Sequence, residues 1–286
     1  MRRQVRSKVT KLEAVRDGIA YAEALQNSVV APEKLQELHP AHAIYVHVQN
    51  QMSVMAEQLL ELEEMRPFAK LIGAAQDEYM PSWPPMSPVT TSFFWCWANF
   101  DAAVNARRET LGSVTLAAAV DFAVHPTMLT LMRMLNDSRM GVYRVEGCGG
   151  RSMQLSDLAT GQRCSAVCNS GYTGSVGEVW YTRVLPPALP GQSEHVVFTS
   201  PYVLVAPEAM QWTEYFDRIA AKHPDRPRLE ALERHLKWGT YVRYWTEFVF
   251  EGYVNHQPGA IFLKGLPDIP QSRPHSRENE RNADGH

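Results

Sequence analysis

The stretch that decides the fold runs from residue 138 to residue 185 and reads SRMGVYRVEGCGGRSMQLSDLATGQRCSAVCNSGYTGSVGEVWYTRVL. Apolar and polar side chains alternate in short runs along it, and glycines separate the runs. Period-two alternation between glycine-rich turns is typical of hairpins whose strands bury one face. The stretch therefore predicts short strands joined by tight turns.

Four predicted strands lie in this stretch and a fifth follows it, over residues 142–147, 153–156, 162–168, 178–185 and 195–205. Two prolines at positions 186 and 187 end the fourth strand, because proline cannot donate a hydrogen bond to a sheet. No helical segment separates the strands, which argues against a parallel sheet with crossover helices. We expect a small antiparallel five-stranded sheet or barrel.

Helical sequence lies on both sides of the strands, so the sequence predicts an α+β protein. Residues 1–137 form a largely helical domain in this interpretation, and residues 138–206 form the small antiparallel β module. Residues 207–264 are expected to be C-terminal helices that pack back on the sheet. Residues 265–286 are polar and without periodicity, which predicts a disordered tail.

One predicted helix carries apolar residues at alternating gaps of three and four, namely Tyr45, Val48, Met52, Met55, Leu59 and Leu62. Such a seam is typical of a helix that pairs with another helix. The run is shorter than the three to four heptads of a firm coiled-coil pattern, so we favour a partner helix in the same chain. A homodimer through residues 45–62 is the alternative.

Composition excludes a global attraction to nucleic acid. The 286 residues include 28 Lys and Arg against 31 Asp and Glu, which gives a formal net charge of −3. Nucleic-acid binding would need a local basic patch. Six Lys and Arg side chains lie within residues 1–16. We interpret them as the solvated face of a helix, with nucleic-acid binding through this helix as a further hypothesis.

The sequence also indicates the cellular setting. It has no apolar run near the roughly 18 to 20 residues of a membrane span, and no apolar segment follows the basic start as in a secretory signal. Four cysteines in a chain of this length do not indicate a disulfide framework. We expect a cytoplasmic protein without a membrane partner.

Neither the cysteines nor the histidines show the spacing of a metal site. Cys164 and Cys168 are four residues apart on a predicted strand, which places their side chains about 13 Å apart. Zinc sites more often use paired C-x2-C knuckles. His42 and His47 do not share a helix face. The sequence also lacks a nucleophile elbow, a phosphate-binding loop and a dinucleotide fingerprint, so we expect no metal and no cofactor.

One catalytic alternative rests on Arg228 and His235, which have six residues between them. This spacing resembles the arginine-to-histidine motif of HEPN-type ribonucleases, although Leu229 stands where that motif has a polar residue. On a helix the two side chains lie about two turns apart on one face. The alternative function is therefore a HEPN-like ribonuclease that acts as a dimer.

The middle of the chain carries six short motifs in order: W-x-x-F-D (Trp97, Phe100, Asp101), T-L-x-x-x-V (Thr115, Leu116, Val120), H-P (His125, Pro126), S-R-M-G-V-Y (138–143), D-L-x-T-G (157–161) and R-V-L-P (183–186). Together they resemble a set of uncharacterised bacterial proteins, some of which carry a zinc-binding SEC-C motif. The likeness covers about a third of the chain. The SEC-C motif itself is absent, because no C-x-C with a following Cys or His pair occurs near either terminus. The resemblance implies a helical domain with a small β module and no particular activity.

The best binding candidate is the glycine-rich loop at residues 169–174, with Tyr172 in it and Trp180 and Arg183 on the next strand. Loops of this kind on small barrels often contact partners. For Trp180 a place in the core is the alternative interpretation. We expect a non-enzymatic interaction or regulatory protein that binds another macromolecule, in first place a protein, through its β module.

Overall fold

The computed structural model describes residues 37–79, 88–122, 124–168, 170–188 and 191–272. The basic segment at residues 1–16, and with it the hypothesis of nucleic-acid binding through a helix there, lies outside the described residues.

Eight α-helices lie in the described part of the chain: α1 (Pro40–Leu60), α2 (Arg66–Tyr79), α3 (Pro88–Phe100), α4 (Leu111–Asp121), α5 (Pro126–Asp137), α6 (Ala209–Ala221), α7 (Arg228–Trp238) and α8 (Tyr244–Gly252). The same part contains ten strands: β1 (Ala103–Val104), β2 (Glu109–Thr110), β3 (Met140–Gly149), β4 (Ser152–Asp157), β5 (Arg163–Cys168), β6 (Val179–Leu185), β7 (His195–Val197), β8 (Tyr202–Ala206), β9 (Tyr253–Gln257) and β10 (Ala260–Lys264).

Local chemistry sets where several helices begin. Pro40 and Pro126 occupy the first turns of α1 and α5, where a missing backbone N–H costs nothing. Thr110 caps α4: its hydroxyl accepts from the backbone N–H of Ser113 at 3.1 Å. In return the Ser113 hydroxyl accepts from the backbone N–H of Thr110 at 3.0 Å. The two bonds satisfy donors that the first turn of a helix leaves open.

The described residues group into two compact units. A helical unit contains residues 37–77, 95–122, 124–138, 187–188 and 191–193, and a barrel unit contains residues 78–79, 88–94, 139–168, 170–186 and 194–272.

In the helical unit, α1 packs against α4 and α5. Tyr45, Val48, Met52 and Leu59 of the predicted seam are each at most 5% exposed. The seam is therefore used inside the chain, which is the interpretation the sequence favoured. Met55 and Leu62 of the same seam are half-buried, and a homodimer through residues 45–62 stays a prediction.

In the barrel unit, five strands close into a small barrel in the order β3-β4-β5-β7-β6, and β6 pairs back onto β3. Its apolar core consists of Tyr143, Val145, Met153, Leu155, Ala166, Trp180, Val197, Val203 and Ala260. Helices of the same unit pack on this barrel, as the contacts of α7 with β3 and of Trp245 in α8 with Tyr181 in β6 show. The predicted α+β class with helices and a small barrel is confirmed.

The sheet is not purely antiparallel. Strand β5 pairs with β7 in parallel, and so does β8 with β10, whereas the sequence predicted antiparallel pairings alone. A closed ring of five strands cannot alternate in direction all the way round, because five is an odd number. One parallel pair is therefore unavoidable once the barrel closes.

The prediction of helices throughout residues 207–264 is wrong at its end. Residues 253–257 and 260–264 form the antiparallel hairpin β9–β10, and β10 extends the sheet beyond β8. A two-residue turn of Pro258 and Gly259 joins the strands, with Gly259 at φ +85°. Pro-Gly is a turn signal, and it overrides the apolar pattern that resembles a continuing helix.

The prediction of a disordered tail from residue 265 is wrong for residues 265–272. Leu266 is 5% exposed, and its backbone N–H donates to the Ser272 hydroxyl at 2.9 Å. Asp268 accepts two hydrogen bonds from the Arg218 guanidinium, at 2.9 and 3.1 Å. The rest of the predicted tail, residues 273–286, lies outside the described residues.

Gly239 separates α7 from α8 with φ +65° and ψ −162°, a region that only glycine adopts readily. A Cβ at this position would lie 2.5 Å from the Cβ of Tyr244. We therefore expect G239A to lower the free energy of unfolding by about 2 kcal/mol or more. Chemical denaturation followed by circular dichroism measures this change.

The matched control is G73A in α2, where an added Cβ meets nothing within 4 Å. Alanine is a better helix former than glycine, so this variant should gain about 0.5–1 kcal/mol. Equal effects of the two substitutions would contradict the assignment of Gly239 as the helix break.

Candidate functional site: a cleft on the barrel unit

A cleft of about 840 Å³ opens on the barrel unit at the place where β8 separates from β6. Only two residue pairs join these strands, Trp180 with Val203 and Tyr181 with Tyr202. Beyond them the walls come from β3, the chain at residues 176–179, the end of β8, the start of α6 and Phe262 of β10. The cleft thus lies between the barrel and its three-stranded extension.

A tight turn and a bulge build the first wall. The backbone N–H of Glu178 donates to the Ser175 carbonyl at 3.1 Å, with Gly177 at φ +95° in the third turn position. Gly177 and Glu178 then oppose the single residue Val145, through bonds of 2.8 and 2.9 Å. This is a bulge that starts with a glycine, which the positive φ requires. It places Val176 at the turn corner, where it is 66% exposed.

The carboxylate of Glu178 is held in this wall by two donors. The Tyr172 hydroxyl lies 3.0 Å from both carboxylate oxygens, and the Trp180 Nε1–H donates to Oε2 at 2.8 Å. Burial, followed by the hydrogen bond to this carboxylate, raises the pKa of Tyr172 above its usual value. The phenol therefore stays protonated and keeps donating, and Glu178 is a positioned acceptor.

Close packing also holds the loop at residues 170–174. Gly174 has φ +61°, and a Cβ there would lie 2.4 Å from the Trp180 ring. A Cβ on Gly259 would lie 2.3 Å from the Ser170 carbonyl oxygen. The ring of Tyr172 packs edge-on against Phe262 at a centroid distance of 6.5 Å. The loop is thus a supported part of the wall.

The second wall follows from the alternation of β3. Val145 points into the barrel core and is fully buried, while Arg144 and Glu146 point outward. The Arg144 guanidinium donates to both oxygens of Glu146, at 3.0 and 3.1 Å. Arg144 is the only arginine among the described residues that line the cleft, and it is therefore already paired.

The opposite rim combines the end of β8 with the first turn of α6. Val205 is 53% exposed and Met210 is 69% exposed. Glu208 precedes α6, and its backbone N–H donates to the side-chain oxygen of Gln211 at 3.1 Å, which fixes the first turn. Two large apolar side chains and a carboxylate therefore share this rim.

The cleft lining is mainly apolar, with three carboxylates and one guanidinium among its described residues. Among the described residues that line the cleft there is no Ser, Cys, His or Lys, the usual nucleophiles and bases. Glu146 is paired, and Glu178 is held as an acceptor. Within the described residues, no group of three His, Cys, Asp or Glu side chains is placed to hold a metal ion.

Of the three predicted contact residues, two are buried. Trp180 and Arg183 are both 0% exposed, so neither can contact a partner in this conformation. Trp180 belongs to the barrel core, which is the alternative the sequence left open. Tyr172 is half-buried, with its hydroxyl bound to Glu178. Of the three predicted contact residues, Tyr172 alone keeps some exposed surface.

The two ribonuclease candidates, Arg228 and His235, have different surroundings on α7. Arg228 lies at the start of α7 with a half-exposed side chain, 2.6 Å from Asp217. His235 is 3% exposed in the same helix, and its Nε2 is hydrogen-bonded to the Tyr215 hydroxyl. Trp245 Nε1–H donates to the His235 carbonyl at 2.8 Å. The histidine is therefore a satisfied core residue that links α6, α7 and α8.

The cysteines and histidines that the sequence offered as metal ligands are partly buried or cap a helix. Burial raises the pKa of Cys164 to about 11, so its thiol stays protonated. Burial lowers the pKa of His42 to about 4, and His39 Nδ1 caps α1 by accepting from the Ala41 N–H at 3.3 Å.

The sequence contained a signal for the cleft that the pattern analysis missed. Val176 stands between two small turn residues in the run G-S-V-G-E, and an apolar side chain at a turn corner has no strand partner to cover it. Met210 stands in the first turn of a helix. Val176 belongs to no alternating run, so strand patterns overlook it. Met210 fits the apolar helix face of Tyr215, Phe216 and Ile219 in sequence, yet it is 69% exposed.

Burial lowers the pKa of His235 to about 4, with Lys222 and His223 acting in the same direction. The usual value near 6.5 applies to the unfolded chain. As the pH falls from 6.5 to 4, the unfolded chain therefore takes up a proton that the folded protein does not, and stability decreases. Above pH 6.5 this contribution is constant. The slope reaches about 1.4 kcal/mol per pH unit for one proton.

We expect H235Q to be less stable than the parent at pH 7, and the difference to shrink as the pH approaches 4. Chemical denaturation at half-unit pH steps measures both curves. Parallel curves would show that His235 takes up a proton equally well in the folded and unfolded chains.

The hydrogen bond between Tyr172 and Glu178 is testable by a double-mutant cycle. We expect Y172F and E178Q each to lower the free energy of unfolding by about 1 kcal/mol or more, because each removes a hydrogen bond to a charged group. The double variant should cost about 1 kcal/mol less than the sum of the single changes. Strict additivity would show that the bond does not hold the carboxylate.

Comparisons with models of known protein families, with curated proteins and with solved structures find no match to this chain. The resemblance of the middle of the chain to bacterial proteins related to SEC-C carriers stays a prediction. None of the described helices combines the length and the apolar character that crossing a membrane requires.

Proposed function

We propose that this protein is a non-enzymatic interaction protein that binds a segment of another protein in the cleft of the barrel unit. The observation that carries the proposal is the gathering of exposed apolar side chains at one place. Val176, Val205 and Met210 are 66%, 53% and 69% exposed, and all three line the cleft.

Single exposed apolar residues are ordinary on protein surfaces, whereas several around one concavity are typical of binding sites. The volume of about 840 Å³ falls within the range of clefts that enclose a ligand or a few side chains. Because the supporting wall is held by the Glu178 hydrogen bonds and by the bulge at Gly177, a partner would meet a preformed surface.

Two features support binding over the ribonuclease alternative. The lining contains no nucleophile and no histidine, and His235 is buried against the Tyr215 hydroxyl. A buried imidazole with a lowered pKa is a poor proton donor or acceptor for a polymer substrate. A cytoplasmic location, as expected from the sequence, remains part of the proposal.

The test selects heptapeptides from a randomised display library against the full chain and measures their affinity by fluorescence anisotropy. We expect the double variant V205S/M210S to weaken the selected peptides about tenfold or more. It removes two apolar side chains from the rim, and tenfold corresponds to 1.4 kcal/mol, less than the transfer free energy of one buried valine. Serine adds no charge, so the loss reports apolar contact.

The matched control is V254S/L229S. It changes a strand valine and a helix residue that are 46% and 53% exposed outside the cleft lining. This variant should keep the parental affinity within about twofold. The proposal would be overturned if no selected peptide binds V205S/M210S more weakly than the parent while binding V254S/L229S equally well.

A further inference from the structure

The charged side chains of the cleft are unbalanced. Glu146, Glu178 and Glu208 line it with Arg144, so three carboxylates face one guanidinium, a net charge of −2 by that count. The guanidinium is bound to both oxygens of Glu146, with side chains 46% and 29% exposed. No second cation lines the cleft among the described residues. Glu178 accepts from the neutral donors Tyr172 and Trp180, and Glu208 accepts from the Gln211 backbone at the start of α6, so neither carboxylate has a cationic side chain opposite it in the lining.

From this imbalance, and resting on the proposed function, we infer that the cleft takes a basic and apolar segment, in which an aliphatic side chain meets the rim and a Lys or Arg meets the carboxylates. The rim of Val205 and Met210 supplies the apolar contact. Glu178 and Glu208 supply the charge. The partner class is therefore a cationic, amphipathic stretch of another protein.

Glu178 is suited to receive the cation because its position is set beforehand. A carboxylate offers about four lone-pair sites on its two oxygens. The Tyr172 hydroxyl and the Trp180 N–H are the two donors that hold it, so its two oxygens keep lone pairs that a further donor can use. A cationic donor would form a charge-assisted bond without reorganising the wall.

The same charges argue against the other large classes of partner. Phosphates of nucleic acid and anionic lipid headgroups would face carboxylates of equal sign and a guanidinium that is already paired. An acidic peptide would meet the same repulsion. An apolar rim beside negatively charged side chains favours a bound segment that carries both apolar and positively charged side chains.

The experiment uses the heptapeptides selected from the randomised library and sorts them by charge. We expect Lys and Arg to be enriched over Asp and Glu beside an aliphatic residue. E208Q should weaken the basic peptides about two- to fivefold, as for a partly exposed ion pair. E208K should weaken them more, and affinity should fall as the salt concentration rises. E214Q, which neutralises an exposed glutamate of α6 outside the lining, should leave affinity unchanged.

The outcomes separate this inference from the proposed function. Suppose that the selected peptides are neutral or acidic, and that V205S/M210S lowers their affinity while E208Q does not. The inference of a basic partner would then be overturned, and the cleft would remain a binding site. If V205S/M210S weakens no peptide, the binding site itself fails. Binding of phosphatidylserine vesicles or of a single-stranded RNA 20-mer that V205S/M210S abolishes would also overturn the inference. The Glu208 side chain accepts from the backbone N–H of Gln211, and the glutamine of E208Q keeps an oxygen that can accept the same bond. A folding defect in E178Q therefore leaves the E208Q test intact.

Discussion

The barrel unit depends on one strand, β6, which is hydrogen-bonded along both edges and covered on both faces. It pairs with β3 on one edge and with β7 and β8 on the other. Trp180 points into the barrel core, and its neighbour Tyr181 stacks on Trp245 of α8 at a centroid distance of 5.1 Å. Both rings are 0% exposed. Barrel closure and helix docking therefore rest on the same seven residues.

The cleft is a consequence of how the second edge of β6 is shared. Along this edge, Val184 and Leu185 of β6 pair with β7, whereas Trp180 and Tyr181 pair with β8. Beyond these pairs the chain at 176–178 turns toward β3, while β8 continues toward α6 and pairs with β10. The barrel and the extension of β8, β10 and β9 share β6 and then separate, which leaves a wedge-shaped space between them. Strand ends and turns form much of its walls.

Charge is used differently in the body of the unit and at the cleft. Arg139 donates to Asp157 at 3.0 Å and to Glu233, which ties the start of β3 to β4 and to α7. His235 is neutral among aromatic rings. In both places ionisable groups are satisfied within the fold. At the cleft, Glu178 and Glu208 accept hydrogen bonds from neutral donors and have no arginine partner in the lining, which is why the electrostatic argument for a partner applies there.

The sequence by itself determined the local structure of the middle of the chain and the class of the fold. Gly150 and Gly161 adopt φ of +63° and +75° at the turns where the alternation predicted reversals. Pro40 and Pro126 begin helices because proline tolerates that position. These outcomes depend on a few neighbouring residues, so a pattern along the chain is sufficient to find them.

Only the tertiary structure decided the parallel pair β5–β7, the burial of Arg183 and His235, and the cleft. Ring closure imposes the parallel pair, which no single strand encodes. The exposure of a side chain depends on which other elements pack against it, and a spacing along the chain does not contain that information. The spacing of Arg228 and His235 suggested catalysis, but in the structure His235 is a core residue and Arg228 is half-exposed. The cleft joins residues from 144 to 262 in the chain, so its chemistry arises where separate strands meet.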